Sequence, residues 1–381
     1  MNILRVLFAF TMVLGIYGGS NFYIARRIYQ TLNYLFPYLN TWIYSGIYIF
    51  FALSMFLGFL PIHNSIRKIF TLISGYWFGV FIYLFLFLLA ADLIVLLGRI
   101  TAIIPGPLLT GMNFYKGIFA VLCTIIVIGY GIFNTNKINL VSYDIKMNGK
   151  TLDREMKIVL ISDTHLGAVN SEKNLAGIVQ GINNSKPDIV CIAGDFFNDD
   201  INNIQNPSGA MALFRSIETK YGVYACLGNH DGGKTFNEML TFLEQCNIKH
   251  LNDESVIIDE KVILTGRIDS SPIGGIGGLK RKETDAVIAP LNTKMPVVVM
   301  DHSPSNIGQY GGGVDLILCG HTHKGQLFPG NLITGAIFTV DYGHYQKDKT
   351  SPHVVVTSGA STWGPPLRVC TNNEIAVIVL H

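Results

Sequence analysis

Four long apolar stretches at the start of the chain constrain its fold more than any other feature. They cover about residues 3–24, 41–60, 70–97 and 116–133, and each is long enough to cross a bilayer as a helix. The chain is 49% hydrophobic and only 14% charged, with a mean hydropathy of +0.38, which is too apolar for an ordinary soluble globule. Residues 1–135 are therefore predicted to form an all-α transmembrane helix bundle, and residues 136–381 a separate α/β domain.

Two features of these stretches need interpretation. The first stretch resembles a signal peptide in length, but it has a single Arg5, no evident cleavage site and three further apolar stretches behind it, so we interpret it as an anchor. Asp92, near the end of the third stretch, is expected at the membrane interface, or else in a tilted or broken helix.

The distribution of basic residues predicts the orientation. Four spans place the N-terminus and the C-terminal domain on one side of the membrane. A small excess of Lys and Arg on that side predicts a multi-pass protein of the cell membrane with a cytoplasmic C-terminal domain. The residues counted on that side are Arg5, Arg67, Lys68, Lys137, Lys146 and Lys150, against Arg26, Arg27, Arg99 and Lys116 on the other.

Charge and cysteine content exclude some classes of function. The formal net charge is +2, and no run of Lys and Arg with interleaved aromatics occurs, so no specific nucleic-acid binding is indicated. The six cysteines form no CxxC pair, which argues against a disulfide scaffold or a cysteine zinc site. Free thiols favour a reducing compartment.

The C-terminal domain has the pattern of an α/β fold. Met156–Ile161 and Asp188–Ala193 are predicted as buried strands on either side of a helix over Glu172–Asn183, which makes a βαβ unit. Ile138–Lys146 alternates like an exposed strand, and Asn148-Gly149 is a hairpin turn signal. Further strands are predicted at Gly222–Leu227, Lys261–Gly266, Pro296–Met300, Val314–Cys319, Val354–Ser358 and Glu374–Leu380.

Polar residues of one chemical kind follow five of these strands, and half of the ten histidines are among them. Asp, Asn and His ligands without a thiolate suit Mn, Fe or Zn in an open, catalytic site. Two such ions require a carboxylate between them. The residues are Asp163 and His165 (Asp-Thr-His), Asp195 (Gly-Asp), Asn229 and His230 (Gly-Asn-His-Asp), His302, and His321 and His323 (Gly-His-Thr-His).

The order of these motifs resembles that of the calcineurin-like metallophosphoesterase superfamily over about residues 150–381. Protein phosphatases of that superfamily continue the second motif as GDxVDRG, whereas this chain has Gly-Asp-Phe-Phe-Asn-Asp from Gly194. Two departures concern the loops, because Lys324 stands where the most similar branch commonly has Gly, and Ile201–Ser208 is an insertion-like polar stretch. That branch, the membrane-associated bacterial phosphoesterases, is indicated by Gly320-His-Thr-His, Gly325-Gln326, Pro329, Ser358-Gly359, Gly364–Arg368 and Glu374-Ile-Ala-Val.

The resemblance implies a four-layer αββα sandwich with two divalent metal ions. It assigns one metal to Asp163, His165 and His323, the other to Asn229, His302 and His321, and a bridging position to Asp195. His230 resembles the histidine that stabilises the phosphoryl transition state or protonates the leaving oxygen. Asp231 either orients the ring of His230 or caps a helix over Thr235–Gln245.

Four other polar residues are interpreted as structural. Asp199, Asp200 and Asp301 are expected to be solvated loop charges. Arg368 is expected to be a packed or surface residue rather than a phosphate ligand.

The resemblance implies hydrolysis of a phosphomonoester, phosphodiester or pyrophosphate bond, and a lipid-linked phosphate is the favoured substrate class. A second hypothesis is a membrane sensor whose phosphoesterase-fold domain binds a phosphorylated ligand without turnover. A third is that the spans conduct or flip a substrate that the domain processes. The sequence does not predict an oligomeric state.

Overall fold

The computed structural model describes residues 3–57, 63–105, 111–147, 150, 152–291 and 294–381. The chain divides into two compact units, Met1–Gly131 and Ile132–His381. A helix lies at each of the four predicted apolar stretches, and residues 58–60 of the second stretch fall outside the described residues. The helices are α1 (Ile3–Leu35), α2 (Thr41–Leu57), α3 (Asn64–Ile100) and α4 (Met112–Asn134).

Two of these helices are long and apolar enough to cross a membrane by length and composition. They are α3, counted from Ile66, and α4, while α2 is apolar but has 17 residues. These two helices suggest membrane association, and the bundle of four spans stays a prediction.

Asp92 connects three helices of the first unit. Its Oδ2 accepts hydrogen bonds from Arg27 Nη2 and from the Tyr23 hydroxyl, both at 2.6 Å. Its Oδ1 accepts one from Lys116 Nζ at 2.5 Å. Because the partners come from α1 and α4, this carboxylate holds both helices to α3.

The second unit is built on two six-stranded sheets. The first has the order β1-β12-β2-β3-β4-β5 and the second the order β10-β11-β9-β8-β7-β6. The strands of the first sheet are β1 (Ile138–Ile145), β2 (Met156–Ile161), β3 (Ile189–Ala193), β4 (Val223–Cys226), β5 (Ile248–His250) and β12 (Asn373–Leu380). Those of the second are β6 (Glu254–Ile258), β7 (Val262–Gly266), β8 (Val297–Met300), β9 (Leu316–Cys319), β10 (Gly343–Tyr345) and β11 (His353–Val356).

Alternating side chains of the central strands fill two different cores. Ile158 and Leu160 of β2 face the core between the sheets, whereas Val159 and Ile161 face the helices outside the first sheet. Those helices are α5 (Glu172–Ser185), α6 (Pro207–Arg215) and α7 (Phe236–Gln245). The outer face of the second sheet has its own core, to which Ile288 of the short α8 (Thr284–Ile288) contributes. The predicted four-layer αββα architecture is confirmed.

The strand predictions agree with the observed strands to within two residues at each end. The prediction of a hairpin between β1 and β2 is wrong. β1 pairs in parallel with β12, which separates it from β2. The Asn148-Gly149 turn itself lies outside the described residues. The C-terminal strand β12 therefore lies between β1 and β2. A local turn signal does not predict such a long-range pairing. The sequence also gave no prediction for β5, β6 or β10.

Candidate metal centre

All the predicted site residues follow strands that are neighbours in the sheets. Asp163, Asp195 and Asn229 come just after β2, β3 and β4, which pair in parallel in that order. His302 and His321 come just after β8 and β9, which pair in parallel in the other sheet. The carboxyl ends of parallel strands meet at one edge of a sheet, so these loops supply one site.

The first group of potential ligands is Asp163, His165 and His323, and all three residues are buried. His165 Nε2 lies 3.2 Å from His323 Nε2. Asp163 Oδ1 lies 3.4 Å from His323 Nε2 and 3.8 Å from His165 Nε2. One atom from each residue therefore points to a common position.

The second group is Asp195, His302 and His321, with the amide oxygen of Asn229 beside it. His302 Nδ1 donates to the Ala193 carbonyl at 2.7 Å, which leaves the lone pair of Nε2 free to bind a cation. That Nε2 lies 3.2 Å from both Asp195 Oδ2 and Asn229 Oδ1. His321 Nδ1 lies 2.9 Å from Asn229 Oδ1.

Asp195 lies between the two groups. Its Oδ2 is 3.2 Å from His302 Nε2 in the second group and 3.6 Å from His165 Nε2 in the first. Its Oδ1 accepts a hydrogen bond from the backbone N–H of His230 at 2.8 Å. A carboxylate in this position would be able to contact a cation held by either group.

The burial and charge of this cluster fit divalent cations. Asp163 and Asp195 are almost completely buried, and no Lys or Arg forms an ion pair with either in the described part of the chain. His165 Nδ1 is buried without a hydrogen-bond partner. Burial lowers the pKa of His165 and of His321 to about 4, so both rings are neutral, the form that binds a metal.

The backbone is strained at five of the potential ligands. Left-handed φ values are uncommon for residues with a side chain and cost about 1–3 kcal/mol each. Such strain persists where the surrounding structure enforces it, which is typical of functional sites. The φ values are 55° at Asp163, 41° at His165, 54° at Asp195, 72° at His321 and 49° at His323.

Glycines allow the strand ends to pack this closely. A Cβ on Gly194 would lie 2.6 Å from Gly228 N and 2.7 Å from His302 Nδ1. A Cβ on Gly320 would lie 2.5 Å from Asp163 Oδ2. The glycines before Asp195 and His321 are therefore needed for space.

His230 lies beside the cluster without joining either group. Its Nδ1 is 2.6 Å from Asp199 Oδ1, and its ring centroid is 5.2 Å from that of His165. Burial acts to lower the pKa of His230, but the hydrogen bond to Asp199 and the charge of Asp195 outweigh it and raise the pKa above its usual value. Asp199 was expected to be a solvated loop charge, and no residue pattern indicated this contact. Asp200 caps the short turn over Ile201–Asn203.

Asp231 adopts neither of the two arrangements expected for it. Its completely buried carboxylate accepts hydrogen bonds from the backbone N–H groups of Phe197, at 3.0 Å, and Gly228, at 2.9 Å. It thus joins the loop after β3 to the loop after β4. Burial and the charge of Asp195 raise the pKa of Asp231 to about 7.

Asp301 was expected to be solvated, and that expectation is wrong. The side chain is completely buried and accepts hydrogen bonds from Arg281 Nη2 and the Tyr310 hydroxyl, both at 2.6 Å. A buried carboxylate requires such partners. Asp301 therefore anchors the strand end that carries His302.

Arg368 is a packed residue, as expected, and is completely buried. Its Nη1 donates to the His323 carbonyl at 3.0 Å, and its Nη2 to the Ser358 carbonyl at 2.7 Å. Its Nε donates to Asn373 Oδ1 at 3.0 Å. The guanidinium thus binds the backbone that carries a potential metal ligand rather than a substrate phosphate.

The chain is similar to proteins of one family. The family model described as calcineurin-like phosphoesterase matches residues 156–325, which contain all the predicted site residues. A metallophosphoesterase of Campylobacter jejuni is 28% identical over 383 residues, 98% of each chain. One from Helicobacter pylori is 29% identical over 235 residues, which is 60% of this chain and 60% of its own length. A "transmembrane protein with metallophosphoesterase domain" from Danio rerio is 25% identical over 331 residues, 81% of this chain and 73% of its own.

Proposed function

We propose that the protein, whose residues 156–325 match the calcineurin-like phosphoesterase family, is a membrane-anchored phosphoesterase with two metal ions. The reaction is hydrolysis of a phosphoester or pyrophosphate bond, and the substrate is a lipid-linked phosphate.

The position of Asp195 supports this proposal most strongly. One carboxylate oxygen lies within 3.6 Å of a histidine from each ligand group. A buried carboxylate that lies between two groups of histidines and has no Lys or Arg partner among the described residues fits a shared cation better than a purely structural cluster. Two divalent cations held there would act as Lewis acids at the phosphoryl group and lower the pKa of the attacking water.

The protein residues around this position have separate tasks. Asp163, His165 and His323 would hold one cation, Asn229, His302 and His321 would hold the other, and Asp195 would contact both. His230, oriented by Asp199, has no hydrogen bond at Nε2 from the described residues. That atom can stabilise the phosphoryl oxygens or donate a proton to the leaving oxygen.

The membrane part of the proposal rests on α3 and α4, on the four apolar stretches of the sequence and on the transmembrane relative. A domain attached to a bilayer meets lipid-borne substrates at a raised effective concentration. This favours a substrate whose phosphate is carried on a lipid.

The test uses the full chain purified in detergent, with Mn added and bis(p-nitrophenyl) phosphate and p-nitrophenyl phosphate as probes. The wild type is expected to release p-nitrophenol, and Asp195→Asn and His230→Ala to lose at least about a hundredfold in turnover. The matched controls Asp259→Asn and His250→Ala, outside the ligand groups, are expected to retain it.

A folded wild-type chain that binds Mn but hydrolyses neither probe nor a set of lipid-linked phosphates would contradict the proposal. It would favour the sensor hypothesis, in which the domain binds a phosphorylated ligand without turnover.

A further inference from the structure

The helix α9 (Gly330–Ile337) follows the last metal-ligand motif and is apolar but not buried. Residues 325–340 contain no Asp, Glu, Lys, Arg or His. Leu332, Ile333 and Ile337 are 61%, 57% and 69% exposed. An apolar helix of a soluble domain normally buries one face, and this one buries no residue. We call these three side chains the α9 surface.

The α9 surface is held rigidly to the metal-ligand loop. A Cβ on Gly325 would lie 2.1 Å from Asn331 N, so the start of the helix packs directly on the loop. Thr334 Oγ1 donates to Asp341 Oδ2 at 2.7 Å, and Thr322 Oγ1, in the Gly-His-Thr-His motif, donates to the Asp341 carbonyl at 2.6 Å. The helix and the histidine motif are thus fixed to the same residue.

Apolar side chains continue from this helix to the metal centre. Phe338, the residue after α9, has its ring centroid 6.0 Å from that of His321. Trp363 is 50% exposed and lies 5.5 Å, centroid to centroid, from His230. Its backbone is bound to Gln326, two residues before Phe328, which is itself 41% exposed. An exposed apolar surface therefore lies beside the site.

Three occupants could cover the α9 surface: a bilayer, a second copy of the chain, or the apolar part of a soluble substrate. The chain contains α3 and α4, which are long and apolar enough to cross a membrane, so a bilayer is the apolar phase already attached to it. The three side chains of the α9 surface are all aliphatic, whereas the cores of protein interfaces are enriched in aromatic residues, Met and Arg. Burial of exposed aliphatic side chains in the interfacial region of a bilayer is favourable, and the strength of such binding scales with the buried apolar area.

We propose that the α9 surface inserts into the lipid bilayer and brings the metal centre to the membrane, where phosphates carried on lipids lie. The inference rests on the membrane anchoring proposed above and extends it to the catalytic domain. Leu332, Ile333 and Ile337 enter the acyl region, and Phe338 and Trp363 line the route from the lipid to His321 and His230.

The test places the full chain in lipid nanodiscs and measures contact between α9 and lipid directly. A tryptophan is introduced by Ile333→Trp, and the matched control is Ile257→Trp on β6, because both isoleucines are 57% exposed. The emission of the introduced tryptophan is obtained as the difference between the variant and the parent chain. It is recorded in nanodiscs of ordinary phosphatidylcholine and of brominated phosphatidylcholine, whose bromine atoms quench fluorescence at contact. Iodide in the buffer quenches tryptophans that face water.

The proposal predicts that brominated lipid quenches most of the fluorescence of the tryptophan at residue 333 and little of that at residue 257. Iodide is expected to quench the tryptophan at residue 257 more than the one at residue 333. Fluorescence at residue 333 that iodide quenches and brominated lipid does not would overturn it, because α9 then faces water. Protection from both quenchers would also overturn it, because a second copy then covers the helix. Equal quenching by brominated lipid at both positions would overturn it too, because the contact with lipid would then not be specific to α9.

The measurement needs no turnover, so it is independent of whether the domain hydrolyses any probe. A chain that does not enter nanodiscs would contradict the anchoring proposed above and the present inference together. A chain that enters them with residue 333 in water contradicts the present inference alone.

Discussion

The contact between His230 and Asp199 is the residue-scale feature that the motifs did not reveal. Sequence reasoning identified His230 from Gly-Asn-His-Asp and offered its neighbour Asp231 as a partner. The fold instead directs Asp231 to backbone N–H groups and brings Asp199 to 2.6 Å from Nδ1. The loop conformation after β3, with φ of 63° at Asp199, decides this, and nothing local in the sequence encodes it.

Asp199→Asn is expected to reduce turnover by about 10–100-fold, because the amide orients the imidazole less well and does not stabilise its charged form. If His230 assists the leaving group, the loss is larger for a phenyl phosphate ester than for the p-nitrophenyl ester, whose leaving group needs no proton. Steady-state rates on both esters check this. Asp200→Asn, one residue on, is the control, and an equal loss on both esters would contradict a role in leaving-group departure.

Arg368→Lys is expected to weaken metal binding without touching a ligand. Lysine cannot replace the fixed donors that reach the carbonyls of His323 and Ser358, so buried acceptors lose their partners. Each unpaired buried group costs about 1–3 kcal/mol, which predicts a lower melting temperature. Metal affinity is expected to fall about 10–100-fold, as for other groups that position a ligand. Calorimetric titration with Mn measures the affinity, and unchanged binding would show that His323 does not depend on Arg368.

At the scale of elements, the strands that carry the site were predictable and their neighbours were not. Runs such as Ile158–Ile161 and Ile189–Ala193 are apolar on both faces, which is typical of strands that are covered on both sides. β5 and β10 have only three residues each, too few for a periodic pattern. The pairing of β1 with β12 joins the two ends of the domain, so its register depends on tertiary packing rather than on a turn.

Asp92→Asn is expected to destabilise the helical unit more than Lys116→Gln does. Asparagine removes the negative charge that Arg27 and Lys116 share, although Arg27 keeps its hydrogen bond to Asn113 Oδ1, whereas removing the lysine keeps the charged bond between Arg27 and Asp92. A hydrogen bond to a charged group contributes about 1.5–3 kcal/mol, which sets the size of the expected difference. Thermal unfolding in detergent, followed by tryptophan fluorescence, to which Trp42 and Trp77 of this unit contribute, compares the two variants. Equal melting temperatures would contradict a structural role for Asp92.

At the scale of the whole molecule, the ligand set was predictable because each residue follows a strand end in a recognisable motif. The hydrogen bonds that hold the ligand loops in place were not predictable, since the Asp301–Arg281 pair and the Arg368 contacts join residues far apart in the chain. The apolar helix α9 after Gly-His-Thr-His was not predicted either, because eight residues are too few to resemble a membrane span. Its exposure becomes apparent only once the fold is known.

Removal of the metals is expected to destabilise the catalytic domain. Without cations, the buried Asp163 and Asp195 lose their charge compensation, and ligands that bind only the folded state stabilise it by mass action. Metal at about a thousand times its dissociation constant contributes about 4 kcal/mol, so chelation is expected to lower the melting temperature by several degrees. Differential scanning calorimetry with EDTA and then with excess Mn measures the shift, and Asp195→Asn is expected to respond less. A melting temperature that is independent of metal would contradict a metal centre at this position.

A titration of the metal-free full chain with Mn, with metal content and hydrolysis of bis(p-nitrophenyl) phosphate recorded on the same samples, determines how many ions catalysis requires. Turnover is expected to appear with the second ion per chain, and Asp195→Asn is expected to reach neither full occupancy nor turnover. Full turnover with one ion per chain, or in the Asp195→Asn variant, would contradict a two-metal centre bridged by Asp195.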